Sequence, residues 1–309
     1  MIKIDINYSL LDRHKNSITN KILVKIKDAK ANSYSNLETS LCLEHLDNKK
    51  EIENLLIATT LQLKNYIDFF KNKFSSSLQE GTELYKILRY DIFEKEYKNW
   101  GNRTKEYSAY DFVQTLDLKS CPYCNRNYTF TVVNKDGKMR PQIDHFYPKS
   151  KYPFLAMSFF NLIPSCPSCN HTKSDDFIED LINPYEIQES DFKFTYTPSS
   201  IDFANVEKEK YNFDSFDIEV FGNEANRKTF KLDELYKQHK DIVLELLVKK
   251  AYYPQSYIYE LSSFGFSEDE IYRYLFANYK QDEDLHKRPL SKLIKDISQE
   301  LGLYWFNTN

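Results

Sequence analysis

Two Cys-x-x-Cys pairs frame a short stretch of the chain that holds the residue types of two different metal sites. The pairs are Cys121/Cys124 and Cys166/Cys169, and Asp144-His145 stands between them. Four thiolates suit a tetrahedral Zn²⁺, and a closed four-cysteine shell leaves no open position, so such a site is structural. A carboxylate beside an imidazole points to a second metal site, one that would bind a harder cation than the thiolate site does. We therefore expect the chemistry of this protein to lie between residues 121 and 173.

Cysteine usage favours metal over disulfides. The chain has five cysteines, four of them in the two pairs, and shows no secretory signal pattern. A reducing compartment keeps thiols free, and we expect the protein to be cytoplasmic. Shared structural zinc is the prediction, with buried free thiols or a redox dithiol as the alternatives, and Cys42 is expected to be a small core residue. The zinc is expected to hold the segments around the two pairs together.

Charge is concentrated in the same stretch. The net charge is −4, yet residues 119–173 contain eight basic and two acidic residues, so this segment is +6 and the remainder is −10. A basic patch in an acidic protein is expected if the protein binds phosphate at one site only. A solvent-exposed basic hairpin without a binding role explains the charge equally well.

The order of residues around Asp144-His145 resembles that of the HNH endonuclease superfamily, whose core is a ββα-metal motif. The matching residues are Asp144-His145, Pro148, Asn161-Leu162 and Cys166-x-x-Cys169-Asn170-x-x-Lys173. The spacing from Asn161 to Asn170, followed by Lys173, is similar to that in the HNH module of CRISPR effector nucleases. The resemblance covers about fifty of the 309 residues.

The resemblance implies a role for each matching residue. His145 is the implied general base, because imidazole titrates near neutral pH. Asp144 and Asn170 are the implied ligands of a catalytic Mg²⁺ or Mn²⁺. Asn161 is implied to hold the loop through backbone hydrogen bonds, and Lys173 is expected to face the side of Asn170 and meet a phosphate oxygen.

Some members of the superfamily have histidine at the third position of the motif, and His171 directly follows Asn170. Neighbouring residues on a helix cannot both point inward, so His171 is the alternative to Asn170 as the metal ligand. The remaining histidines are expected to have structural or surface roles. They are His14, His45, His239 and His286.

The elements that position these residues can be predicted from periodicity. The alternation of Ile2, Ile4 and Ile6 predicts a strand with a partner at 22–26, and helical patterns run from about 36 to 100 and from 107 to 116. Strand-like runs at 128–133 and 139–143 flank Asp136-Gly137, which predicts a hairpin that ends at Asp144-His145. A short amphipathic helix is expected over 177–182.

Beyond Pro184, strands are predicted at 192–196 and 213–221, followed by helices. The predicted fold class is α+β, a ββα-metal nuclease core with a four-cysteine zinc site between mostly helical flanks. The expected domains are a helical region over 1–105, the nuclease core over 106–188 and an α+β, mainly helical region over 189–309. The sequence has no apolar run long enough to span a membrane.

The predicted function is metal-dependent hydrolysis of phosphodiester bonds in DNA. The zinc-framed motif with a helical C-terminal region also resembles stand-alone HNH effectors of bacterial anti-phage systems of the Septu type, which implies an ATPase partner. The alternative to an anti-phage effector is an HNH protein of a phage or mobile element. An RNA- or tRNA-cleaving nuclease, or a zinc-stabilised binding module without catalysis, are the alternative functions.

Overall fold

A computed structural model describes the chain over residues 1–32, 34, 36–102, 106–135, 137–175, 178, 180–200 and 215–303. The chain forms two compact units. The first unit consists of Asp5–Leu118 and Thr129–Phe177, and the second of Met1–Ile4, Lys119–Tyr128 and the described part of Ile178–Asn309. Both units combine helices with two-stranded antiparallel sheets, which confirms the predicted α+β class.

Helices make up most of the first unit. They are α1 (Tyr8–Lys30), α2 (Leu37–Leu46), α3 (Lys49–Leu56), α4 (Thr60–Phe74), α5 (Glu83–Lys86), α6 (Glu94–Asn102) and α7 (Ala109–Leu116), with a π-helical segment at Ile87–Phe93. Helix α1 begins where the Asn7 side chain accepts a hydrogen bond from the Leu10 amide, a standard N-cap. Residues four apart, from Leu10 through Ile18 to Ile26, are buried along one stripe, so α1 is held by its packing face.

The predicted N-terminal strand pair is wrong. Residues 22–26 lie within α1, and residues 1–7 form no strand. Ile2 and Ile4 are buried while Lys3 and Asp5 are exposed, so the alternation correctly indicated extended backbone with one buried face. The backbone amides of Ile2 and Ile4 donate to the carbonyls of Pro122 and Pro184 instead of to a partner strand.

The strands beside the predicted site pair differently from the expectation. Strands β1 (Val132–Val133) and β2 (Lys138–Met139) form a very short hairpin, whose turn residue 136 lies outside the described residues. The predicted second strand is interrupted at Pro141, which has no amide hydrogen to donate. A separate strand, β3 (Gln142–His145), pairs with β4 (Leu162–Ser165), a strand that the sequence analysis missed.

Helix α8 (Pro167–Lys173) follows β4 and completes a strand–strand–helix unit. It begins earlier than the predicted helix, because Pro167 stands at its first position and Cys166 caps it. The predicted helix over 177–182 is wrong over its described residues, because Ile178 and residues 180–182 are not helical; residues 177 and 179 lie outside the described part of the chain. The predicted order of strand, strand and helix is observed, but it is built from β3, β4 and α8 and not from the predicted elements.

In the second unit, β5 (Phe192–Pro198) pairs with β6 (Phe216–Gly222), which confirms the two predicted strands over their described residues. The helices of this unit are α9 (Glu224–Thr229), α10 (Leu232–Tyr236), α11 (Lys240–Tyr252), α12 (Gln255–Ser263), α13 (Glu268–Phe276) and α14 (Ser291–Glu300). Across the described ranges, no helix has the combination of length and hydropathy that crossing a bilayer requires.

Candidate metal centre and active site

The four paired cysteines come together. Their Sγ atoms all lie within 4.8 Å of one another, all four side chains are buried, and none forms a disulfide. This confirms the predicted cluster, and Cys42 is a separate buried residue. In a tetrahedral zinc–thiolate site the sulfur atoms are about 3.8 Å apart, given zinc–sulfur bonds of about 2.3 Å. Four buried thiol groups at this spacing therefore fit one Zn²⁺ without an open position.

Each pair is shaped by its own backbone. The Arg126 amide donates to Cys124 Sγ at 3.4 Å, and the Cys169 amide donates to Cys166 Sγ at 3.5 Å. Amide hydrogens directed at sulfur favour the thiolate form, which is the form that binds metal. The local geometry thus suits metal ligation at both pairs.

Asn125, which the sequence analysis did not single out, shapes the first pair. Its φ of 50° places it in the left-handed region, which asparagine tolerates better than most residues. The buried Asn125 side chain donates to the Leu285 carbonyl and accepts from the Lys292 amide, at 3.2 and 3.0 Å. The sequence signal for this role was an asparagine directly after a Cys-x-x-Cys pair, a position that needs a turn.

Asp144 and Lys173 form a buried ion pair in the strand–strand–helix unit. Lys173 Nζ lies 3.2 Å from Asp144 Oδ1 and 3.1 Å from Oδ2, and it also donates to the His145 carbonyl at 2.8 Å. Lys173 is 1% exposed and Asp144 is 3% exposed. The expected position of Lys173 facing a phosphate oxygen is therefore not the one observed, because its ammonium group is enclosed and engaged by Asp144.

One ring nitrogen of His145 is engaged in a hydrogen bond with the backbone. Its Nε2 lies 3.0 Å from the Ala156 carbonyl, which can only accept, so Nε2 carries the hydrogen and Nδ1 carries the lone pair. The edge of the Tyr97 ring packs against the imidazole, with centroids 4.5 Å apart. Burial, together with the Lys149 ammonium, lowers the pKa of His145 to about 3. The imidazole is neutral at physiological pH and has the protonation state that a general base needs.

Asn161 holds the loop between β3 and β4. Its side chain accepts from the Tyr147 amide at 2.7 Å and donates to the carbonyls of Tyr147 and Leu155 at 3.1 and 3.0 Å. Asn161 is completely buried, so each of these hydrogen bonds replaces one that water supplied in the unfolded chain. The segment that carries Ala156, the partner of His145, is thereby fixed.

Asn170 lies one helical turn before Lys173 and contacts the same strand. Its Nδ2 donates to Gln142 Oε1 at 2.7 Å, which leaves Oδ1 as the acceptor atom of the amide. Gln142 lies two residues before Asp144 and therefore on the same face of β3. Gln142 was not identified from the sequence. His171, the alternative ligand, is exposed at the surface of α8.

Lys173 contacts both Asp144 and the His145 carbonyl, and Asn170 contacts Gln142, which precedes Asp144 by two residues on β3. Strand β3 thus carries a carboxylate and a neutral imidazole, and the helix that packs on it carries an amide. Oxygen ligands of this kind suit a hard divalent cation, and the imidazole suits proton abstraction from water.

Comparison with known proteins identifies the motif. Residues 121–176 match the HNH endonuclease family, so the chain contains an HNH endonuclease domain. The chain is 44% identical to the Septu protein PtuB of Bacillus thuringiensis over 87 residues, 28% of this chain and 30% of that protein. It is 26% identical to protein ea31 of Escherichia phage lambda over 142 residues, 44% of this chain and 43% of that protein. The chain spans less than half the length of these curated relatives, and no solved structure matches it.

Proposed function

We propose that this protein is a metal-dependent endonuclease that hydrolyses phosphodiester bonds in DNA, with His145 as the general base. The observation that carries the proposal is the fixed tautomer of His145. Because Nε2–H donates to the Ala156 carbonyl, Nδ1 is the ring atom that accepts a proton. Asp144, a proposed metal ligand, is the residue directly before His145 in the sequence. Removal of a proton from water at Nδ1 generates the nucleophile for in-line attack on phosphorus.

Asp144 and Asn170 are the residues that we propose to hold a catalytic Mg²⁺ or Mn²⁺. The donor set fits such an ion, since the amide nitrogen of Asn170 is occupied by Gln142 and its oxygen is the remaining ligand atom. When bound, the cation neutralises charge on the phosphate and on the leaving 3′ oxygen. Lys173 Nζ lies 3.2 Å from Asp144 Oδ1 and 3.1 Å from Oδ2, so the proposed cation would share this carboxylate with the lysine. The expected products carry a 5′ phosphate and a 3′ hydroxyl.

We assign the four-cysteine cluster to structural Zn²⁺. The support is the closed set of four buried sulfur donors within 4.8 Å, which leaves no position for substrate. Chemistry is accordingly assigned to the second site alone.

Incubation of the purified protein with supercoiled plasmid, single-stranded DNA and tRNA, in Mg²⁺, Mn²⁺ or EDTA, tests this function. We expect plasmid cleavage in Mg²⁺ or Mn²⁺, none in EDTA, and loss of at least about 1000-fold in the His145→Ala variant. Preferential cleavage of tRNA would replace DNA by RNA as the substrate. Equal cleavage by the His145→Ala variant would exclude the proposed base, and binding without any cleavage would support a non-catalytic module.

We further propose that the nuclease works in anti-phage defence together with an ATPase. The support is the similarity to a Septu protein over 87 residues. A tagged His145→Ala variant purified from its native host should bring down a protein with ATPase activity, and host cells should be protected from phage by the wild type but not by the variant. Protection that is independent of His145 would contradict an effector role for the nuclease site.

A further inference from the structure

A groove beside β3 carries positive charge and an aromatic ring. It has a volume of about 500 Å³ and lies entirely within the first unit. Its walls include Tyr110 of α7, Lys138 of β2, Arg140 and Gln142. The active-site residues described above, apart from Gln142, do not line it, so the groove is a separate feature that adjoins the site.

The two cations in the groove are organised by Tyr110. Lys138 Nζ lies 5.5 Å and Arg140 Cζ lies 5.4 Å from the centre of the Tyr110 ring, both within the range of cation–π attraction. No carboxylate of the described residues forms an ion pair with either cation. An aromatic face orders the cations without neutralising their charge, so both remain available to an anion.

Gln142 connects this groove to the reaction centre. It lines the groove and also accepts the hydrogen bond from Asn170 Nδ2 at 2.7 Å. Asp144 lies two residues further along β3, a rise of about 7 Å. Beyond His145, Lys149 Nζ lies 5.8 Å from the ring centre of Tyr97, the residue that packs on His145. A further cation thus lies near the Tyr97 ring that packs on His145.

We propose that this groove binds the sugar–phosphate backbone of the DNA strand that is cut, next to the scissile phosphate. This inference rests on the proposed function. Arg140 and Lys138 contact backbone phosphates, and Tyr110 is a positioning residue that holds both cations toward the strand. Two cations that form no ion pair with a carboxylate in the described part of the chain can neutralise more than one phosphate, which favours a polynucleotide over a single phosphate group. The protein as a whole has a net charge of −4 and does not attract DNA electrostatically. The two cations of the groove supply that attraction locally.

The test measures binding separately from cleavage. A fluorescently labelled 30-base-pair DNA duplex is titrated with the cleavage-deficient His145→Ala protein at several salt concentrations. Arg140→Gln and Lys138→Gln are each added to this background, with Lys151→Gln as the matched control. Lys151 belongs to the same basic segment, is exposed and lies outside the groove, so its replacement removes the same charge elsewhere.

Arg140→Gln is expected to weaken binding roughly tenfold and to reduce the slope of log K against log[salt] by about 1, with a similar slope change for Lys138→Gln. Tyr110→Ala should weaken binding and Tyr110→Phe should restore it, because the ring rather than the hydroxyl group holds the cations. Groove variants that match Lys151→Gln in affinity and in salt slope would overturn the inference. If the groove variants match the control while the wild type still cuts DNA, only the inference fails; a wild type that neither binds nor cuts nucleic acid overturns the proposed function.

Discussion

Lys173 and Asp144 form an ion pair that is almost completely shielded from solvent, with Lys173 Nζ 3.1 Å from Asp144 Oδ2. One partner comes from α8 and the other from β3, so the pair ties the helix to the strand that carries the proposed general base. Loss of one partner from such a pair leaves an uncompensated buried charge. This lowers the stability of the fold far more than loss of both partners does.

Replacement of Lys173 by methionine should destabilise the fold by about 3–5 kcal/mol, because the Asp144 carboxylate then lacks its cationic partner. Addition of Mg²⁺ or Mn²⁺ should raise the free energy of unfolding of this variant more than that of the wild type, since a divalent cation can take over the charge compensation. The measurement is a urea titration with and without metal. The double variant Lys173→Met/Asp144→Asn should recover part of the stability and lose the metal effect, and an equal metal response in all three proteins would contradict this.

The four-cysteine cluster should retain metal through purification. We expect about one zinc per chain by elemental analysis of the wild type and less than about 0.2 in Cys124→Ser, with a melting temperature lower by about 10 °C or more. Cys42→Ser is the matched control, because Cys42 is also a buried free cysteine but lies outside the cluster. Its zinc content should equal that of the wild type, whatever its stability. Full zinc content in Cys124→Ser would disprove the assignment.

Asn170→Ala and His171→Ala distinguish the two candidate ligands supplied by α8. Asn170 contacts Gln142 on β3, whereas the neighbouring His171 is exposed. Asn170→Ala should therefore raise the Mg²⁺ or Mn²⁺ concentration needed for half-maximal cleavage by about 10- to 100-fold, and His171→Ala should change it less than about twofold. The reverse order of effects would make His171 the ligand.

The sequence predicted the four-cysteine cluster and the HNH motif better than it predicted the strands around them. The cysteine spacing and the residues of the motif required no knowledge of pairing. Strand β4 escaped prediction because Pro164 stands within it, opposite Ile143, and proline argues against a strand interior. A proline also explains the error in the predicted hairpin. Its second strand was predicted over 139–143, but β2 ends at Met139 because Pro141 separates it from β3.

Partners that come from distant parts of the chain could not be inferred from local patterns. Lys173 was expected to share the side of Asn170 and to meet a phosphate oxygen, and only the packing of α8 on β3 shows that its ammonium group is enclosed. His14 is another example. The sequence predicted only a structural or surface role for it, and the two partners of its ring, Tyr107 and Met157, are 93 and 143 residues away.

His14 contacts the same turn that holds His145. His14 Nε2 lies 2.7 Å from the Met157 carbonyl, and His145 Nε2 lies 3.0 Å from the adjacent Ala156 carbonyl. Both imidazoles therefore donate to consecutive carbonyl groups of one turn. Tyr107 Oη lies 2.9 Å from His14 Nδ1, which accepts from it in the neutral tautomer.

This arrangement predicts that acid destabilises the protein through His14. Burial lowers its pKa to about 4 in the folded state, against 6.5 for an unperturbed histidine. Between these values the unfolded chain binds a proton that the folded chain does not, so stability falls as the pH is lowered from about 6.5 to about 4. The loss from this residue amounts to about 3 kcal/mol at pH 4, since one pKa unit corresponds to about 1.4 kcal/mol. Urea titrations between pH 7 and pH 4 should show a shallower decline for His14→Gln than for the wild type. His171→Gln, which changes an exposed histidine, should retain the wild-type decline, and parallel curves for all three proteins would show that His14 is not the titrating group.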